Sequence, residues 1–134
     1  MPVLPFPLRT VLAAAIAAPL TIDLEVQGRA TAEHEGTVSL YGVITCSADT
    51  IVTLDGEVFE SLGRNALAAG TFATELPCGP TPTPWTVTVP SDRGAPFRPG
   101  FALADVRAVG FDPDSSTYSS VQSLVSLHLT RSAH

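Results

Sequence analysis

The stretch Thr37-Val38-Ser39-Leu40-Tyr41-Gly42-Val43-Ile44-Thr45-Cys46 decides how the rest of the chain is read. Val38, Leu40, Gly42, Ile44 and Cys46 share one parity, while Thr37, Ser39, Tyr41, Val43 and Thr45 share the other. Side chains of an extended chain point alternately to its two faces, so this β-branched run predicts a strand with Cys46 ending it on the inward face. The same period of two recurs outward in both directions. Ile22, Leu24 and Val26 alternate with Asp23 and Glu25 before a turn-rich joint at Glu33 to Gly36. Downstream, Val52, Leu54, Gly56 and Val58 form one set, and Phe72, Thr74, Leu76 and Cys78 another. Trp85, Val87 and Val89 alternate with Thr86 and Thr88, then Ala102, Ala104, Val106 and Ala108 line one side of the run Phe101 to Val109. Val121, Val125, Leu127 and Leu129 close the series, after a polar connection read as Gly110 to Ser120. About seven such runs, with turn signals between most and no convincing helix after Pro19, predict an all-β immunoglobulin-like antiparallel two-sheet sandwich. Crossover helices, which a parallel α/β sheet needs, have no candidate segment.

Both cysteines, Cys46 and Cys78, carry the inward parity of their strands, and two cysteines admit one intramolecular pairing, expected only in an oxidising compartment. Around the second lies Leu76-Pro77-Cys78-Gly79-Pro80-Thr81-Pro82-Thr83-Pro84-Trp85. Proline cannot donate to a ladder, so Pro80, Pro82 and Pro84 predict an extended, unpaired crossing between sheets. The bond would fix its start, and a buried Trp85 its end.

The chain has 134 residues, enough for one hydrophobic core. One domain is expected over 20–131, followed by a short tail, 132–134. With 15% charged residues and a net charge of -6, an electrostatic grip on nucleic acid or anionic lipid would work against the molecule's own field. Nucleic acid is therefore not an expected partner. Residues 1–19 have two readings. Arg9 followed by the small apolar run Val11 to Ala18 has the outline of a secretory signal peptide, with a cleavage-like Ala15-Ile16-Ala17 step. Alternatively, Leu8, Val11, Leu12 and Ala15 lie along one face of a retained helix with Pro7 in its first turn. Either way the run is too short for a stable membrane span, which takes about twenty apolar residues.

The pieces Val26-Gln27-Gly28-Arg29-Ala30, Gly36-Thr37-Val38, Gly42-Val43-Ile44-Thr45-Cys46, Pro84-Trp85-Thr86-Val87-Thr88-Val89 and Pro96-Phe97-Arg98-Pro99-Gly100 resemble a group of small exported immunoglobulin-like proteins of actinobacteria, over roughly Leu20 to Arg131. The resemblance implies an exported β-sandwich, secreted or in the cell envelope, without a known activity. This chain departs from it at Phe111 to Tyr118, where a second cysteine pair is often found and none stands here. Similarity to the neocarzinostatin-type carriers rests on architecture alone.

The histidines are His34, in the charged turn Glu33-His34-Glu35, together with His128 and the terminal His134, and no nucleophile elbow or zinc-binding helix motif is present. No catalytic residue and no cofactor is therefore assigned, and an enzyme is not expected. Asp112-x-Asp114-x-Ser116 offers oxygens at the first spacings of a calcium loop but lacks its glycine and glutamate, and reads as a solvated hairpin turn, so no metal is assigned. Asp55, Glu57 and Glu60 read as charges guarding a sheet edge. Phe59, Phe101, Leu103 and Leu124 have the parity opposite to their strands' apolar sets and should face outward, a candidate partner surface; burial under loops or the N-terminal segment is the competing reading. The expected role is a non-enzymatic exported structural or binding module with an unidentified protein or cell-surface partner. The alternatives are a carrier of a small apolar ligand in an inter-sheet cleft, and an assembly subunit that oligomerises through a retained N-terminal segment.

Overall fold

A computed structural model describes residues 19–64 and 66–132; the segment read as leader or helix, up to residue 18, lies outside the described residues. Among these residues there are strands and turns and no helix. The strands are β1 (Ile22–Val26), β2 (Arg29–Ala32), β3 (Val38–Cys46), β4 (Thr50–Ser61), β5 (Leu67–Cys78), β6 (Thr83–Val89), β7 (Arg93–Gly94), β8 (Gly100–Asp112) and β9 (Thr117–Arg131).

They form a mixed multi-strand sheet in the order β1-β3-β2-β9-β8-β4-β5-β7, with β6 added to the other side of β3. All pairings are antiparallel except that of β2 with β9. The joint lies at β2. β1 pairs Gly42 to Cys46 of β3, the chain steps at Gln27-Gly28, and β2 then touches β3 only at Ser39 and Val38 before running parallel to β9. The step is fastened by the His128 amide donating to the Gly28 carbonyl (2.7 Å) and the Gln27 amide donating to the Tyr41 carbonyl (2.8 Å).

Two strands beyond the expected seven are present. β2 is four residues of Arg, Ala and Thr, too short for a periodic signal, and exists because its partners β3 and β9 supply the ladder. β7 is a two-residue bridge to β5 within the connection between β6 and β8. The last two strands are longer than expected: β8 runs to Asp112 and β9 starts at Thr117, so the polar connection shrinks to the hairpin 113–116. The proline crossing shrinks likewise. Only Gly79 to Pro82 lie off the ladder, whereas Pro84 stands in β6 opposite Val43. β6 pairs with β3 alone, and an edge strand tolerates a proline whose nitrogen faces away from the partner.

The inward parity set forms one core. Val38, Leu40, Ile44, Val52, Leu54, Val58, Val106, Leu127 and Leu129 are fully buried, and Trp85 is nearly so. Trp85 lies opposite Gly42, where a Cβ would overlap its indole and the Glu25 carbonyl oxygen; the strand needs glycine at this point because the ring occupies the space. Its Nε1 is buried with no hydrogen-bond partner among the described residues. Cys46 and Cys78 are bonded, with Cα atoms 5.6 Å apart and a separation of 32 positions in sequence. Beside the bond the Cys46 amide donates to the Gly79 carbonyl (2.8 Å), so the start of the proline crossing is held by both a covalent and a backbone link.

Candidate interaction face

β5, β4, β8 and β9 lie side by side over most of their length, and the register sorts their outward side chains into rows. One row reads Ala69, Phe59, Leu103, Ser126 across the four strands. Leu124 stands opposite Asp105, one row toward the middle, and Phe101 opposite His128, one row toward the end. The structure therefore brings together all four residues chosen from parity. Phe101 and Leu124 are 76% and 72% exposed, Leu103 46% and Phe59 37%, so loops do not cover them. The ring of Phe101 meets His128 edge-on at 5.3 Å. Leu67, opposite Ser61 at the start of β5, is also exposed and was not foreseen, because the strand was read from Phe72. With Phe59, Ser61, Phe101, Leu103 and Ser126 it lines an open groove of about 400 Å³.

Toward the middle of the face the chemistry changes to paired charge. Arg107 reaches Asp55 across the β4–β8 ladder (3.2 Å), Arg93 of β7 reaches Glu57, and the Gln122 amide donates to Asp105 (2.7 Å). The Arg93 guanidinium also lies 6.0 Å from the Phe59 ring centroid, a cation on an aromatic face. At the far end the face turns apolar again. Ile51 and Tyr118 are well exposed, and Phe111 meets Tyr118 edge-on at 5.2 Å. Phe111 has the outward parity of Phe101 and Leu103, a signal that was present in the sequence and was lost by ending the strand at Val109.

The carboxylates read as an edge guard need correcting. β4 is flanked on both sides, by β5 and β8, so it is no edge, and Glu60 points inward. Its side chain sits in a residue only 2% exposed, and Oε1 accepts the Arg98 amide (2.8 Å). Burial pushes the Glu60 carboxyl above its usual range, against the pull of the Arg98 amide and guanidinium. Asp112 behaves oppositely. Its Oδ2 accepts the Leu20 amide (3.1 Å) and Oδ1 the Asp114 amide (3.1 Å). The Leu20 amide above all holds this carboxyl below the usual range, with burial opposing it and Ser115 and Asp114 assisting. The would-be calcium spacing is thus a closed hairpin: both Asp112 oxygens face amides of the chain, and the Ser116 amide donates to the Asp112 carbonyl at a positive φ of 57°. Glu33 accepts the Ser39 hydroxyl (3.0 Å). Among the described residues no three His, Cys, Asp or Glu side chains converge as metal ligands, and no helix is long and apolar enough to cross a membrane.

No protein-family model and no curated protein matches this chain. Among solved structures it is similar, at 16% identity and a TM-score of 0.36, to the Pseudomonas fluorescens alkylpurine DNA glycosylase AlkC bound to DNA containing an abasic site analog. The match covers 90% of this chain and 33% of that one, so the chain spans a third of the length of the structure it matches. A superposition this loose carries no argument about fold or chemistry.

Proposed function

We propose that the chain is a non-enzymatic exported binding module of immunoglobulin-like architecture. In this reading β1, β3 and β6 form one layer and β9, β8, β4, β5 and β7 the other, with β2 as the strand that passes between them. Two features support the layering. β2 is the link between the two groups of strands, and a Cβ placed at Gly110 of β8 would stand 3.2 to 3.3 Å from the Leu20 and Ile22 side chains, which come from the opposite group.

Export is supported by the Cys46–Cys78 bond, which persists in oxidising compartments, and by the leader-like pattern before Leu20. The resemblance to small exported immunoglobulin-like proteins of actinobacteria agrees with both. The observation that carries the binding role is the apolar end of the outward face. Phe59, Leu67, Phe101, Leu103 and Leu124 lie on adjacent strands, all substantially exposed, and contiguous exposed apolar groups mark partner surfaces.

Intact mass of the protein purified from its native host tests the reading. Loss of about seventeen N-terminal residues together with two hydrogens is the expected result. Retention of Met1 with two free thiols would overturn export and favour the assembly-subunit alternative.

A further inference from the structure

We infer that the outward face of β5, β4, β8 and β9 is a self-association surface, and that its occupant is a second copy of this chain stacked face to face with its strands running antiparallel. The inference rests on the binding-module reading for the function of this face, not for its compartment. It starts from the order of chemistry along the strands. The face is apolar at one end (Phe101, Leu103, Leu124), charged in the middle and apolar at the other end (Ile51, Phe111, Tyr118). Such a pattern reads the same in both directions. A two-fold axis lying in the face and running along the middle row, across the strands, therefore lays each apolar end of one copy on the opposite apolar end of the other, as an isologous contact with antiparallel strands requires.

The middle row does not forbid this. Asp55 is paired with Arg107 and Glu57 with Arg93 within each copy, so stacking buries those charges with their partners; Asp105, which accepts from neutral Gln122, and Glu75, on the same face of β5, have no cation partner among the described residues and oppose it. Area decides between one end and the whole face. The apolar end alone covers on the order of 300 to 400 Å², the size of the largest patch on many monomers and too little for a stable pair. The full face is about four strands wide at about 4.8 Å spacing and as long as the 12 residues of β4, about 40 Å. Two such faces bury roughly 1,500 Å² together, within the range of stable interfaces. Both ends are thus needed.

Sedimentation equilibrium of the full chain, from about 1 µM to about 500 µM, is the test. The expected result is a monomer–dimer equilibrium that tightens as salt rises, because copies with a net charge of -6 repel each other while the contact is apolar at both ends. Leu103→Asp and Tyr118→Asp, at opposite ends of the face, should each weaken dimerisation by about a hundredfold or more, with far-UV circular dichroism and melting temperature unchanged at concentrations where wild type is monomeric, since both side chains are exposed. If Leu103→Asp weakens the pair and Tyr118→Asp does not, the antiparallel stacking is wrong. A dimer indifferent to both uses another surface, and a monomer at every concentration excludes the second copy. None of these outcomes bears on the intact mass, so export and self-association fail separately.

Discussion

The two ends of the long β4–β8 ladder are closed by different chemistry. At one end Cys46 is bonded to Cys78, the Thr50 hydroxyl donates to the Phe111 carbonyl (2.8 Å), and Asp112 gathers the amides of Leu20 and Asp114. At the other end the loop through Pro96 and Phe97 is tied by the Phe97 amide to the Gly36 carbonyl (3.0 Å) and by the Arg98 amide to buried Glu60. Each end thus has a carboxylate that captures a neighbouring segment, yet one is pushed down and the other up. The difference teaches which force wins. The Leu20 amide, with Ser115 and Asp114 assisting, outweighs the desolvation of Asp112, whereas one amide and a nearby guanidinium do not outweigh that of Glu60. The disulfide end is therefore stabilised by its charge at neutral pH, and the glutamate end is held at some cost.

The largest effect should come from removing the covalent link. The double substitution Cys46→Ser and Cys78→Ser is expected to lower stability by about 3 to 4 kcal/mol in the chain-entropy model, read by urea denaturation of the oxidised and substituted proteins. Amide exchange should accelerate at Leu20 and Thr50 more than at Phe97. Equal acceleration at both ends would show that they open as one unit and would dissolve the contrast. A smaller loss is expected for Asp112→Ala, which strands the Leu20 and Asp114 amides. Because the folded-state carboxyl titrates below its ordinary 3.8, its contribution is present above that value and disappears as pH falls through the lowered one. Melting temperatures of wild type and variant should consequently differ at pH 7 and converge in acid. A gap that persists in acid once the folded carboxyl is protonated would mean that Asp112 acts through packing rather than charge.

How much of this was legible depended on whether a feature obeys the alternation of a strand. Cys46 and Cys78 share the inward parity of their neighbours and were readable as a pair; Phe59, Phe101, Leu103 and Leu124 break that parity and were readable as outward. Glu60 was misread although its parity matches Val52, Leu54 and Val58, because a carboxylate was assigned to water on charge alone. What it needed was the Arg98 amide, brought in from 38 residues away. β2 was illegible for the same reason: its four residues take their structure from β9, about a hundred residues downstream in the chain. The middle of the outward face, with Arg93 on Glu57 and Arg107 on Asp55, depends on register between strands that no local pattern encodes.

Glu60 offers the smallest effect and the sharpest test of the contrast. Glu60→Ala removes the acceptor for the partly buried Arg98 amide and should cost about 1 kcal/mol. Glu60→Gln keeps a carbonyl oxygen in that place and removes the buried charge, so at pH 7 it should match or exceed wild type, by no more than about 1 kcal/mol. The sign follows from the raised carboxyl. Between the unfolded value of 4.5 and the higher folded one, the native state binds the extra proton, so wild-type stability falls as pH rises through that window. The glutamine variant lacks this slope. Subtracting the two stability profiles should therefore leave a difference that grows from pH 4 toward neutrality in favour of glutamine, the reverse of what Asp112→Ala shows over its own range. A glutamine variant less stable than wild type at pH 7 would mean that the Arg98 guanidinium holds Glu60 ionised, and that both ends of the ladder are closed by charge after all.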